Sequence, residues 1–216
     1  MSNLTNRFKD ADFMQKQEDI LLVGLGGIGR GTATELALIE HNLTIYETDL
    51  VEAHNCRPQG YFVDQIGMTK FNAFQQTLNR FFDKGSACPI EHINEMYGKD
   101  SQAFPIMVSC VDNMEARKHM FNNWKAQEDR QLFVDGRMLA EYFEVFCVVK
   151  DLEDQYEEYL FDDSEVLPQP CTYQQTPFVP KIIHGTICQS ICNFLTGKPI
   201  HFKQTYNGTI QYWCNN

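Results

Sequence analysis

The chain has 216 residues, with 18 Lys and Arg against 29 Asp and Glu, giving a formal net charge of −11. This length suits one compact unit with a substantial core, and the acidic balance excludes nucleic acid as partner, because that recognition needs clustered Lys and Arg. MSNLTNRFKDADFMQKQ has no continuous apolar core and no stretch reaches the length of a membrane span, so we expect a soluble, cytoplasmic protein with no membrane partner.

Residues 1–17 read as an N-terminal arm. DILLVG then predicts a strand that runs directly into the glycine-rich turn GLGGIG, which carries Gly24, Gly26, Gly27 and Gly29. Ile28, Thr32, Leu36 and Ile39 repeat at helical spacing after it. NLTIYE predicts the second strand, and a connection of mixed polarity leads to a second helical face at Phe71, Phe74, Leu78 and Phe81. CPIEHI, FPIMVSCV and QLFVDG are three further strands. Strand and helix patterns that alternate in this way predict a parallel sheet wrapped by helices. After Gly136 the run EYFEVFCVV is β-rich, and DLEDQYEEYLFDDSEVLPQP, with many acids and no base, reads as a solvated crossover loop or lid over 151–179. Ile183, Ile187, Ile191 and Leu195 predict a closing helix that ends at Gly197 and Pro199. Asn207-Gly208 suits a type I′ turn between HFKQTY and TIQYW. The fold class is therefore α/β: a Rossmann-like, doubly wound, mainly parallel sheet extended by antiparallel strands, with a C-terminal helix and hairpin, in a single domain over 1–216.

Eight cysteines occur, at positions 56, 88, 110, 147, 171, 188, 192 and 214, and no two form a C-x-x-C pair. No zinc is expected. Cys110 and Cys147 lie inside apolar runs, where cysteine behaves as a small buried hydrophobe. His184 falls beside the core-facing Ile183 and Ile187 and reads as a partly buried histidine rather than a general base.

A glycine turn after a strand lets backbone approach a phosphate, whose charge is met by the free N–H groups that open the next helix. Glu47, at the end of the second strand, is placed to accept hydrogen bonds from ribose hydroxyls. NAD and ATP fit this much equally. The segment ETDLVEAHNCRPQGYFVDQIGMTK discriminates, because it gathers Asn55, Arg57 and Lys70. Cleavage of a triphosphate between α and β needs such donors around the departing pyrophosphate, whereas a nicotinamide site relies mainly on backbone. VSCVDNMEARKHM adds Asp112 at a strand end. A carboxylate there is a ligand for Mg²⁺ bridging phosphate oxygens; alternatively, Asp112 or Asn113 caps the following helix.

Together GLGGIG, ETDLVEAHNCR, IGMTK and DNMEAR resemble the ubiquitin-activating superfamily, the ThiF, MoeB and HesA-type adenylyltransferases. The pattern G-x-G-G-[ILV]-G, D-x-D, Asn, Arg-Gln, G-x-x-K and D-N-x-x-x-R appears here in order. Glu47 stands where Asp is usual, Pro58 follows Arg57 where the family has Gln, and Asn55 and Arg57 are one residue closer than usual. The resemblance implies that Glu47 holds the ATP ribose, that Asn55, Arg57 and Lys70 hold the phosphates, and that Asp112 holds magnesium, with Asp49 and Asn113 also among the nucleotide-binding residues. It also implies a homodimer in which an N-terminal arginine, here Arg7, reaches the partner's ATP. PCTYQQTPFVP is similar to the C-T-x-x-x-x-P sequence around the acyl-accepting cysteine of such enzymes, which assigns Cys171 to thioester formation. The expected activity is ATP- and Mg²⁺-dependent adenylation of the C-terminal carboxylate of a ubiquitin-like protein or peptide ending in Gly. The competing readings are an NAD(P)-dependent oxidoreductase, disfavoured by Asn55, Arg57 and Lys70, and a non-catalytic scaffold subunit, against which retention of Lys70 and Asp112 speaks.

Overall fold

The computed structural model describes residues 10–82, 89–162 and 176–216. A single eight-stranded sheet has the order β3-β2-β1-β4-β5-β6-β7-β8. Its strands are β1 (Asp19–Val23), β2 (Asn42–Tyr46), β3 (Ile90–Ile93), β4 (Ile106–Ser109), β5 (Leu132–Leu139), β6 (Tyr142–Val148), β7 (Lys203–Asn207) and β8 (Tyr212–Asn215). The first five pair in parallel and the last three antiparallel. This is the Rossmann-like mixed sheet expected from the alternating pattern.

Strands β1, β4 and β5 are buried on both faces, which is why they read as continuous apolar runs rather than alternating ones. Successive residues divide between two cores. Ile20, Leu22, Val108, Val134 and Val145 meet α1 (Gly29–Leu38), α2 (Lys70–Leu78) and α5 (Val179–Leu195) on one face. On the other, Leu21, Val23, Met107, Phe133 and Phe146 meet α3 (Met114–Lys125) and α4 (Glu153–Glu157). α3 delivers Phe121 and Trp124, and α4 delivers Tyr156, all fully buried.

Several local expectations change. α2 stops at Leu78, so Phe81 lies beyond it and is 54% exposed instead of completing the apolar face. The acidic stretch is not solvated throughout: 153–157 form α4, with Tyr156 in the core and Glu153 buried against Arg130. A carboxylate with a guanidinium partner tolerates burial that a bare one does not. Asn207-Gly208 does not make a two-residue turn. Asn207 pairs with Tyr212, and residues 208–211 connect the strands, with Gln211 in the left-handed region at φ 51°. The Gly208 N–H donates to the Glu141 carbonyl at 2.7 Å, so the loop is fastened to the neighbouring β5–β6 turn as well as to the Asn207 side chain of its own hairpin. Of the arm, residues 10–17 pack on the body: Met14 is buried and Asp12 pairs with Lys198 at 2.6 Å. Cys110, Cys147 and Cys188 are buried as expected. Among the described residues no helix is long and apolar enough to cross a membrane.

Candidate active site

A cleft of about 530 Å³ opens beyond the C-terminal ends of β1, β2 and β4, where the strand order reverses around β1. That is the place where doubly wound sheets bind ligands, because the connections diverge to opposite faces there. The volume suits a small-molecule ligand.

Gly24, Gly26 and Gly27 line the cleft. Gly24 has φ +93°, and a Cβ on it would sit 2.9 Å from the Cys110 carbonyl oxygen. Gly29 is buried beneath the loop, where a Cβ would run into the Gly24 carbonyl. Both positions therefore require glycine. Glu47 fixes this loop from the end of β2: the Leu25 N–H donates to its Oε2 at 2.6 Å, and the Thr48 and Asp49 N–H groups donate to its Oε1 at 2.8 Å each.

The long connection after β2 folds back on itself. Leu50 bridges Thr69 and the Val51 N–H donates to the Met68 carbonyl at 2.8 Å. Thr69 caps α2 through its hydroxyl, which accepts from Asn72 at 3.2 Å. Lys70, the first residue of the helix, is thereby returned to Asp49: its Nζ lies 2.7 Å from Asp49 Oδ2 and its N–H donates to the Asp49 carbonyl at 2.8 Å. Lys70 is buried, while the Asp49 side chain is 62% exposed, and both line the cleft.

From the other side, Asn113 caps α3, its Oδ1 accepting from the Ala116 N–H at 2.8 Å. This leaves Asp112 exposed on the cleft, where among the described residues its side chain meets only the Asn113 amide at 3.4 Å. Arg117 clips the same loop to β5, its Nη2 donating to the Val111 carbonyl at 2.8 Å and its Nε to Asp135 Oδ1 at 2.7 Å. Asp135 also accepts from Arg137 Nε at 2.6 Å and from the Tyr156 hydroxyl at 2.8 Å. Burial would push the Asp135 carboxyl up, but the charges of Arg117 and Arg137 outweigh it and hold the group below its usual range. Among the described residues no three His, Cys, Asp or Glu converge as a metal cage.

Of the residues singled out in the sequence, Gly24, Gly26, Gly27, Glu47, Asp49, Lys70, Asp112 and Asn113 share this cleft, whereas Asn55 and Arg57 do not line it. Asn55 is 2% exposed because its Oδ1 accepts from the Glu52 N–H at 2.7 Å, closing the short 3₁₀ turn Ala53–Asn55. That turn leaves Arg57 on the surface, exposed to solvent. Gln59 takes the wall position instead, with its Oε1 buried and without a hydrogen-bond partner among the described residues. Arg7 and Cys171 lie outside the described residues. His184 packs its ring on Gly31 across the α1–α5 contact; burial, with Arg30 and Lys181 nearby, lowers its pKa to about 4.

Gln59, Asp135 and Arg137 belong to no motif in the sequence. Arg117 was visible as the last residue of DNMEAR, and its four-residue offset from Asn113 is the signal that it clips its own capping loop. Gln59, Asp135 and Arg137 carry no comparable signal, since their roles come from partners far along the chain.

The profile of the ThiF family matches residues 5–213. Over 117 residues, 47% of its length, the chain is 31% identical to the ubiquitin-like modifier-activating enzyme 5 of Culex quinquefasciatus, of which it spans 30%. The crystal structure of E. coli MccB with ATP superposes with a TM-score of 0.69 at 14% identity, covering 94% of this chain and 65% of MccB. PaaA superposes with a TM-score of 0.71 at 18% identity, with the same two coverages. The chain thus spans less than a third of the activating enzyme and just under two thirds of the two structural neighbours. With nearly its whole length matched and its cleft built from the glycine loop and the three loops that face it, the chain belongs to the ThiF family.

Proposed function

We propose that the cleft adenylates the C-terminal carboxylate of a ubiquitin-like protein or of a peptide ending in glycine, using ATP with Mg²⁺ and releasing pyrophosphate. The observation that carries this reading is the convergence of the glycine loop, Lys70 and Asp112, from three separate connections, in a ThiF-family chain. Two relatives support the substrate class: one is named as a modifier-activating enzyme, and MccB has been crystallised both with ATP and with MccA.

In this reading a carboxylate oxygen attacks the α-phosphorus. The bond from that phosphorus to the bridging oxygen breaks, and pyrophosphate leaves with the electron pair. The nucleophile is already anionic, so no strong base is needed; alignment and charge neutralisation are the site's contribution. Backbone N–H groups of the glycine loop and the start of α1 meet the phosphates. Lys70 exchanges Asp49 for a phosphate oxygen, while Glu47 and Asp49 border the ribose. One exposed carboxylate without further protein ligands fits Mg²⁺, which binds through one or two carboxylates plus substrate phosphates and water; Asp112 would hold it, and the ion would offset the phosphate charge. Asn55 shapes the loop and does not touch the nucleotide. Cys171 is the proposed acceptor of the acyl group as a thioester, with AMP as the leaving group, and a homodimer with Arg7 reaching across is the proposed assembly.

ATP–pyrophosphate exchange dependent on a small protein or peptide ending in Gly tests this directly. Exchange is expected with Mg²⁺, together with thermal protection by ATP and none by NAD. Protection by NAD alone would replace this reading with the oxidoreductase one.

A further inference from the structure

Accepting the adenylation reading, the cleft has a charge problem. Glu47, Asp49, Glu95 and Asp112 line it, and the cations that line it are Lys70, Arg117 and Arg137. Arg117 and Arg137 are both committed to the buried Asp135, which leaves Lys70, once it turns from the exposed Asp49, as the lining cation free for the phosphates. Arg57, the arginine that the sequence offers for the phosphates, is exposed and outside the cleft. Beyond the proposed Mg²⁺ and the arginine proposed to reach across from a second copy, Lys70 alone among these cations is left to meet the β- and γ-phosphates, so a guanidinium from the same chain is sought.

Arg30 does not line the cleft either, but unlike Arg57 it is half-buried and directly follows the glycine loop. It lies in the first turn of α1, immediately after the glycine loop, and helical side chains lean toward the N-terminal end where phosphates are met. Its guanidinium lies 4.9 Å from the centroid of the Tyr61 ring, and the Tyr61 hydroxyl donates to the Leu25 carbonyl of the glycine loop at 2.7 Å. It also abuts Gly60, where a Cβ would come within 2.8 Å of Arg30 Nη1, next in the chain to the cleft-lining Gln59. Among the described residues Arg30 has no carboxylate partner, whereas Arg117, Arg130 and Arg137 each have one and Arg57 and Arg80 are exposed. Its Nε and Gln59 Oε1 are both buried without a hydrogen-bond partner among the described residues. A half-buried guanidinium with an orphaned N–H is costly in the empty protein, and an anionic ligand removes that cost.

We propose that Arg30, and not Arg57, is the arginine that receives the β- and γ-phosphates of ATP, reaching them past Gly60, next in the chain to the cleft-lining Gln59. In this chain the phosphate-binding guanidinium therefore comes from helix α1 rather than from the connection after β2.

Titration calorimetry of the full chain with ATP and with AMP, in Mg²⁺, tests the assignment using Arg30→Ala, Arg30→Lys and Arg57→Ala. Arg30→Ala is expected to weaken ATP by about tenfold or more, the equivalent of one charge-assisted contact, with AMP unchanged; Arg30→Lys should fall between, and Arg57→Ala should match the parent. AMP binding also reports that each variant is folded, and Arg30→Lys, which keeps the charge over Tyr61, serves if Arg30→Ala does not fold. Equal weakening of ATP and AMP by Arg30→Lys, or loss of ATP confined to Arg57→Ala, overturns the assignment while leaving the adenylation reading intact. A parent chain that binds neither nucleotide overturns both.

Discussion

Two carboxylates near the cleft, Asp135 and Asp49, show how the same ion-pair chemistry serves opposite ends. Asp135 is fully buried, and both its oxygens are taken by Arg117, Arg137 and Tyr156. Asp49 is largely exposed and has a single ammonium, Lys70, at 2.7 Å. The first is saturated and cannot exchange partners without leaving charges buried, so it joins α3, β5 and α4 into a fixed wall. The second is screened by water and gives up its partner at little cost, which is what a residue that must turn to a ligand requires. Burial, more than charge, separates framework from working site.

The comparison is broken most severely at Asp135. Asp135→Ala leaves Arg117 and Arg137 without their carboxylate, and breaking a buried pair in this way costs about 3–5 kcal/mol. Denaturant unfolding should register that loss, and a variant as stable as the parent would show that the network is not what holds the wall. Because the folded Asp135 carboxyl is lowered, its contribution is present above the unfolded value near 3.9 and is lost as pH falls below it.

A smaller effect comes from two histidines, the buried His41 and the half-buried His184. His41 and His184 are both lowered to about 4, chiefly by burial. The unfolded chain takes up protons near pH 6.5 while the folded chain stays neutral there, so stability declines as pH falls from about 6.5 to 4. The melting temperature should drop across that window, and His184→Gln should flatten part of the slope. A level profile in the parent would contradict this.

The smallest change in stability belongs to Lys70→Ala. The pair with the exposed Asp49 is worth at most about 1 kcal/mol, so the variant should unfold within about that margin of the parent while pyrophosphate exchange is lost. Large destabilisation with exchange retained would reverse the contrast and make Lys70 framework.

The parts legible in the sequence were those decided by neighbours in the chain. β1, β4 and β5 announced themselves as apolar runs, α1 and α5 by a repeating face, and the glycine loop by its spacing. Asn113 as a helix cap needed only the residues that follow it. Illegible were the features decided by distant partners. Tyr156 looked like part of a solvated acidic loop until its hydroxyl found Asp135, and Asn207-Gly208 looked like a tight turn until the Glu141 carbonyl claimed Gly208. Asn55 and Arg57 share one polar segment, yet a single 3₁₀ turn puts the first inside and the second outside.

The order of residues is enough to set the alternation of strands and helices, the cleft at the glycine loop and the arrival there of Lys70 and Asp112, because periodicity and glycine conformation act over a few residues. Which charges face the cleft and which are held in buried pairs emerges from the folded chain. Pairing between residues such as Lys70 and Asp49, 21 apart, or Arg117 and Asp135, 18 apart, depends on the path of the intervening chain. Arg30 shows the consequence: nothing at its position distinguishes it from a surface arginine until Gly60 and Tyr61 pack against it and, among the described residues, no carboxylate pairs with it.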